Sequence, residues 1–427
     1  MSRIVLAYSG GLDTSVLLKK LIAQGHEVVA LTANLGESDA VAGDGAAAEL
    51  EAVRAKALAL GALDAVVVDA RERFVREYVM PALAANVMYE GMYPLSAALS
   101  RPLIAALLVE TAHRYGADAV AHGCTGKGND QVRIELGVRG LDPGIAVRAP
   151  LRESPLSRPD AIAYANAHGI PIAHTAAKPY SIDANLWGRS IEAGVLEDPW
   201  HGVPEDAYAW TASPAARPAH ADEVVLAFDG GALRQAQGDT ALRQAQGDTG
   251  ALRQAQGDTV DTVAMVAWLN AVAGRHGVGR IDLVEDRVIG VKSREVYEAP
   301  AATVLIAARK ALERLTLTRD ELRFKATSDQ KYAELSYDGL WLSPLRTALD
   351  AFNASFAPRI TGEVRVRLHQ GSAVVTGVRS PFALYDEALA TYGAGDAFDH
   401  AAAGGFITCY GLPLDRVARL HAAPALA

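Results

Sequence analysis

Hydrophobic positions in the first third of the chain alternate between two spacings. Short continuous apolar runs cover residues 4–6, 28–33, 65–68 and 119–121. Between them, over residues 14–24, 46–60 and 101–115, apolar positions recur every three or four residues. The first pattern predicts strands buried on both faces, and the second predicts amphipathic helices. Their alternation predicts an α/β fold with a parallel sheet and helices on both faces. Ligands of such a sheet bind at the carboxyl ends of its strands, which here are the loops at residues 9–15, 34–37, 69–72 and 122–133.

From about residue 150 the pattern changes and prolines accumulate, at Pro150, Pro155, Pro159, Pro171 and Pro179. Ile170-Pro171-Ile172 reads as the last edge of the first domain. Beyond it, residues 224–228, 280–284, 288–291, 334–336, 363–368 and 373–378 read as strands, and 262–273, 299–315 and 344–357 as helices. The predicted organisation is an N-terminal parallel-sheet domain over 1–170, an α+β domain over 171–400 and a C-terminal tail over 401–427. The tail carries a short helix around 415–420, which is marginal alone and is expected to dock on something, such as another subunit. The nonapeptide Ala-Leu-Arg-Gln-Ala-Gln-Gly-Asp-Thr occurs three times, at 232–240, 241–249 and 251–259. With one leucine per copy it is no solenoid unit. The stretch 230–259 is expected to be a surface insertion in a hairpin loop.

Half of the 427 residues are hydrophobic, which excludes global disorder. The net charge of −9 gives no electrostatic support for nucleic-acid binding. Two cysteines, Cys124 and Cys409, cannot build a disulfide framework. No signal peptide and no membrane-length apolar run is apparent, so a cytoplasmic protein without membrane partners is expected.

Two loops carry the chemistry. Ala7-Tyr8-Ser9-Gly10-Gly11-Leu12-Asp13-Thr14-Ser15 links the first strand to the first helix. It aims backbone N–H groups, hydroxyls and a helix N-terminus at one point, a cradle for phosphate. It is not a Walker-A loop, because the spacing differs and no lysine stands in the turn. The second loop runs His122-Gly123-Cys124-Thr125-Gly126-Lys127-Gly128-Asn129-Asp130-Gln131-Val132-Arg133. Its amide, carboxylate, hydroxyl and arginine suit a zwitterionic amino acid beside a nucleotide. His122 reads as a structural hydrogen-bonding group and Cys124 as a small filler.

The first loop resembles the pyrophosphate-binding (PP-loop) motif of enzymes that split ATP between its α and β phosphates. With the second loop, Gly-Val-Gly-Arg-Ile-Asp at 277–282 and Lys-Ser-Arg-x-x-Tyr-Glu at 292–298, it occurs in the order found in the argininosuccinate synthase family. The resemblance runs from residue 4 to about 410. It implies a Rossmann-like nucleotide-binding domain of the adenine-nucleotide alpha-hydrolase type, an α+β synthetase domain and a C-terminal helix. It also implies ATP with Mg²⁺, the substrates citrulline and aspartate, and a homotetramer.

Residue by residue, the resemblance assigns Ala7, Tyr8, Ser9, Gly10, Gly11, Leu12, Asp13, Thr14 and Ser15 to the ATP phosphates, with Ala33 and Gly123 on the rest of the nucleotide. Thr125, Asn129 and Asp130 would hold aspartate. Tyr93, Asn129, Arg133, Ser181, Ser190, Glu285 and Tyr297 would hold citrulline. Asp13, as a neighbour of Mg²⁺, and Asp130 would serve the reaction itself. In the family's chemistry the citrulline ureido oxygen attacks the α-phosphorus, and aspartate's amine then displaces AMP. Read singly, Ser181 and Ser190 are turn or N-cap residues before they are ligand contacts, Glu285 is alternatively an exposed charge, and Tyr297 is equally a packed aromatic. Two departures stand out: the hydroxyl expected near Ala97 or Ala98 is absent unless Ser96 supplies it, and Glu37 stands where Gln is frequent. A tRNA thiolase would want catalytic cysteines and a basic face, and a nucleotide sensor would need no amino-acid pocket.

Overall fold

The computed structural model describes residues 2–37, 45–171, 180–238, 261–393 and 395–422. By compactness the chain divides into Met1–Phe382 and Ala383–Ala427. Among the described residues no helix is long and apolar enough to cross a membrane.

The first unit begins with five parallel strands: β1 (Arg3–Ala7), β2 (Glu27–Asn34), β3 (Asp64–Asp69), β4 (Ala119–Ala121) and β5 (Ala146–Arg148), in the order β3-β2-β1-β4-β5. Helices α1 (Leu12–Ala23), α2 (Gly45–Ala59), α3 (Ser96–Tyr115), α4 (Asn129–Leu141) and α5 (Arg158–Ala167) accompany them. The strand residues alternate between two apolar layers. Ile4, Leu6, Val28 and Ala30 pack with Val16, Leu17 and Ala161 on one face, while Val5, Val29 and Leu31 join Leu99, Leu103 and Leu108 on the other. This sandwiching explains the unbroken apolar runs. The strand order reverses between β1 and β4, the switch point where the two glycine-rich loops emerge side by side.

Two antiparallel sheets follow. The first, in the order β10-β11-β7-β6, comprises β6 (Ser181–Asn185), β7 (Gly188–Glu192), β10 (Arg280–Asp286) and β11 (Lys292–Glu298). The second has the order β13-β12-β8-β9, from β8 (Asp222–Asp229), β9 (Ala232–Gly238), β12 (Gly362–His369) and β13 (Ser372–Arg379). Helices α6 (Thr262–Arg275), α7 (Pro300–Thr316), α8 (Arg319–Tyr337) and α9 (Pro344–Phe356) are the longer helices of this part of the chain. One apolar core runs from the parallel sheet through Trp187 and Leu305 to Val364 and Val366.

Several expectations are corrected. Residues 288–291 form the turn between β10 and β11, with Ile289 and Val291 exposed, so their apolar character marks no strand. Residues 334–336 lie in the last turn of α8, whose Thr318–Glu321 capping box fixes a helix start that the polar composition hides. The fifth parallel strand is β5, and Ile170-Pro171 carries none; Ile172 lies outside the described residues. The first nonapeptide copy is not a loop: Ala232–Gly238 is β9, paired antiparallel with β8. The other two copies lie outside the described residues.

The second unit contains one helix of length, α10 (His400–Ala422), nearly four times as long as the 415–420 segment and continuous through Pro413. It exposes Phe406, Ile407, Tyr410, Leu414 and Val417.

Candidate active site

The turn after β1 is held open by its backbone. Gly10 has φ +75, and a Cβ there would stand 2.9 Å from Val53, so only glycine lets α2 lie this close. Gly11 is the N-cap of α1, and no side chain caps that helix, so its first N–H groups face the turn. Ser9 and Thr14 hydroxyls meet at 3.1 Å, and the Tyr8 phenol meets the buried Ser15 hydroxyl at 3.1 Å. The lysine missing from the turn's sequence arrives from α2: Lys56 Nζ donates to the Gly10 carbonyl at 2.7 Å. Burial lowers the Lys56 pKa below its usual range. Asp13 stands exposed on the first turn of α1. Gly123 leads out of β4 beside this loop, its Cβ position 3.4 Å from Thr14 Cγ2, and Ala33 sits near the end of β2.

The loop after β4 turns through Thr125 and Gly128 and enters α4 at Asn129. His122 is buried; its Nδ1 accepts from Cys124 N at 3.3 Å and its Nε2 lies 3.4 Å from Glu135. Burial depresses its pKa against the pull of Glu135, and burial pushes the Cys124 thiol up to about 12. At neutral pH the imidazole is therefore neutral and the thiol protonated. Asp130 bonds Arg101 Nη2 at 2.7 Å and Arg133 Nη1 at 3.2 Å. Burial alone would raise the Asp130 carboxyl, but the two guanidiniums hold it down at about 2. Arg101 also reaches Asp183 at 2.6 Å, and that carboxyl stays above its usual range because burial outweighs the pairing. Asn129 is committed at both ends, accepting from Val288 N at 2.9 Å and donating to the Tyr337 hydroxyl at 2.8 Å.

The β6–β7–β11–β10 sheet meets these loops with one face. Pairing sets Asp183 opposite Ser190 and Ser190 opposite Tyr297, with Glu285 on β10 on the same side. Ser181, two residues before Asp183, shares that face at the exposed start of β6. The other face carries Ile191 and Val296 into a small apolar cluster. Tyr297 stacks on Tyr93 at 3.8 Å and donates to Glu285 at 2.7 Å. Burial raises the Glu285 pKa, while hydrogen bonds from Tyr337 and Tyr297 pull it back. Tyr93 OH accepts from Ala97 N at 2.9 Å and lies 3.5 Å from Ser96 Oγ, whereas Ala98 is buried in α3. The hydroxyl beside Tyr93 is thus that of Ser96. Arg133 Nη2 is buried without a hydrogen-bond partner among the described residues, a donor that a substrate carboxylate would satisfy.

The structure therefore brings together Tyr93, Asn129, Asp130, Arg133, Ser190, Glu285 and Tyr297. Ser181 and Thr125 are exposed, and among the described residues no side-chain hydrogen bond joins either of them to the others. Four residues of the site carry no sequence signal: Arg101, Asp183, Tyr337 and Tyr89, which stacks on Tyr337 at 3.6 Å. Only contact in three dimensions recruits them.

Residues 3–171 match the model of the arginosuccinate synthase N-terminal HUP domain, and residues 180–417 match that of the arginosuccinate synthase C-terminal domain. The chain is 48% identical over 425 residues to the argininosuccinate synthase of Rubrobacter xylanophilus, covering 100% of this chain and 97% of that one. It is 51% identical to the Geobacillus thermodenitrificans protein of that name, over 96% of this chain and 94% of that one. The Symbiobacterium thermophilum protein of the same name is 50% identical, with 96% of each chain covered.

Proposed function

From the premise that this chain belongs to the argininosuccinate synthase family, we infer how its residues serve the family's reaction. The chain is an ATP-dependent carbon–nitrogen ligase that joins L-citrulline to L-aspartate, releasing AMP and diphosphate. The ureido oxygen of citrulline attacks the α-phosphorus and diphosphate leaves. The amine of aspartate then attacks the ureido carbon, AMP leaves, and the amine gives up a proton. Neither step needs a side-chain nucleophile, so the protein's task is alignment and charge stabilisation.

In this reading residues 7–15, Ala33 and Gly123 hold ATP, with the N-terminus of α1 and Lys56 facing the departing diphosphate. Arg133 takes the citrulline carboxylate, Glu285 its ammonium, and Tyr93, Asn129, Ser181, Ser190 and Tyr297 shape the rest of that pocket. Thr125, Asn129 and Asp130 receive aspartate. Mg²⁺ would ride on the phosphates, where it neutralises their charge. Asp13 is the nearby carboxylate, and the described residues offer no group of three metal-ligating side chains that would form a cage of their own. We place the protein in the cytoplasm and propose that residues 1–170 bind ATP while 171–400 supply the synthetase face. We propose a homotetramer, the state the family resemblance implies; the apolar side chains exposed along α10 support contact between copies of the chain.

The observation that carries the reading is the buried Arg133 Nη2, without a hydrogen-bond partner among the described residues, beside buried Glu285: a candidate carboxylate site and a candidate ammonium site. Diphosphate release from ATP, measured with citrulline alone, aspartate alone and both, tests it. Steady turnover without citrulline, or none with both amino acids, would defeat it. Sedimentation at micromolar concentration tests the tetramer.

A further inference from the structure

Tyr337 is the last residue of α8, a helix that no motif ties to the site. Its hydroxyl donates to Glu285 Oε1 at 2.6 Å and accepts from Asn129 Nδ2 at 2.8 Å. Its ring lies parallel to Tyr89 at 3.6 Å, and the Arg133 guanidinium sits 4.6 Å from its centre. Its carbonyl accepts from Arg133 Nε at 2.8 Å. Two residues on, Gly339 has φ +79, and a Cβ there would stand 2.8 Å from Arg133 Cα, so the end of α8 is pressed against α4. One buried residue thus touches Asn129, Arg133 and Glu285, which come from two separate segments of the chain.

We propose that Tyr337 is a positioning residue for citrulline, its hydroxyl orienting the Glu285 carboxylate and the Asn129 amide toward the substrate's α-ammonium. The proposal rests on the assignment of Glu285 to citrulline made above. A carboxylate buried this deeply would otherwise favour its neutral form, which cannot pair with an ammonium. Each phenol that donates to it favours the charged form, and Tyr337 makes the shorter of the two bonds. Burial and the neighbouring Glu285 charge also keep the Tyr337 phenol protonated, so it remains a donor across the working pH range.

The test uses the full-length enzyme and its Tyr337→Phe, Glu285→Gln and doubly substituted forms. Diphosphate release is followed from pH 5 to 9 with each of citrulline, ATP and aspartate varied in turn while the other two are saturating. Tyr337→Phe should raise the citrulline KM roughly tenfold to a hundredfold, the effect of losing one hydrogen bond to a charged group. The ATP KM should stay within about twofold, and the acid limb of kcat/KM for citrulline should move to higher pH. In the Glu285→Gln background the same substitution should add little, because the two residues act as one unit. If Glu285→Gln raises the citrulline KM while Tyr337→Phe changes neither KM nor the acid limb, the inference falls and the Glu285 assignment stands. If Glu285→Gln leaves the citrulline KM unchanged, the assignment itself falls. An equal rise in KM for all three substrates would mean general loosening and would also overturn it. Should Tyr337→Phe not fold, 3-fluorotyrosine placed at 337 keeps the ring and makes a stronger donor. The acid limb must then move to lower pH, and an unmoved limb overturns the proposal.

Discussion

Replacing Arg101 with Met removes the guanidinium that hydrogen-bonds both Asp130 and Asp183. The Arg101 side chain is 12% exposed and each carboxylate 32%, so the triad is largely withdrawn from water. Holding Asp130 at about 2 rather than 3.8 corresponds to about 2 kcal/mol of preference for its charged form, less what solvent screens at the exposed third. Arg133 remains 3.2 Å from Asp130, but Asp183 then faces Asp130 without its own hydrogen-bonded guanidinium. Breaking a buried pair by deleting one member costs about 3–5 kcal/mol. With an unfolding entropy of ~2.1 cal/mol/K per residue over the first unit, about 0.8 kcal/mol/K in all, the apparent Tm should drop by about 4–6 °C. The sign of the pH dependence follows from the wild-type shift. The Asp130 contribution is present above pH 3.8 and is lost as pH falls through about 2. In the variant both carboxyls rise and protonate more readily, so the gap between the two proteins should narrow on acidification. Differential scanning fluorimetry from pH 4 to 8, together with the aspartate KM from diphosphate release, checks this. A variant with unchanged Tm at pH 7.5 and unchanged aspartate KM would refute the reasoning.

Gly36 has φ +85, and a Cβ there would lie 2.4 Å from Leu186 Cγ, beside the Leu186 N to Leu35 O bond at 2.9 Å that ties the β6–β7 turn to the loop after β2. Gly36→Ala should therefore cost roughly 2–5 kcal/mol through strain and overpacking, visible as a lowered Tm. Lys56→Met removes the ammonium bonded to the Gly10 carbonyl and should raise the ATP KM roughly tenfold while sparing both amino-acid KM values in initial-rate assays. Burial holds His122 neutral, with its pKa below 6.5. It therefore contributes stability above pH 6.5 that is lost as pH falls through its depressed folded value. His122→Gln should flatten the Tm-against-pH slope between pH 6.5 and 5, and an unchanged slope would contradict the neutral assignment.

The parallel sheet was legible in the sequence because its strands are buried on both faces and read as continuous apolar runs. β5 was not, because Ala146-Val147-Arg148 is short, lies at the sheet edge and is half exposed. β6 and β7 escaped notice for a functional reason. Ser181, Asp183, Ser190 and Glu192 occupy one face, so only Ile182, Ala184 and Ile191 remain to signal a strand. The polar α8 hid in the same way, since its start is set by a cap rather than by an apolar stripe. Both glycine-rich loops were readable because their chemistry is contiguous in sequence. Arg101, Asp183 and Tyr337 were not, because each acts by reaching a residue dozens to hundreds of positions away.

The face that carries Ser181, Asp183, Ser190, Glu285 and Tyr297 keeps time in steps of two, and nothing but parity separates it from the apolar face behind. A single residue gained or lost within β7 or β11 would exchange the two faces of that strand. It would turn Ser190 or Tyr297 into the layer of Ile191 and Val296 and leave an aliphatic side chain facing substrate. The segment from Ser181 to Glu298 is thus a recording whose meaning depends on where counting begins. Added length is harmless only where no register follows from it; the first nonapeptide supplies β9 of the other sheet, and the second and third copies fall in sequence between β9 and α6, outside all four strands of this one.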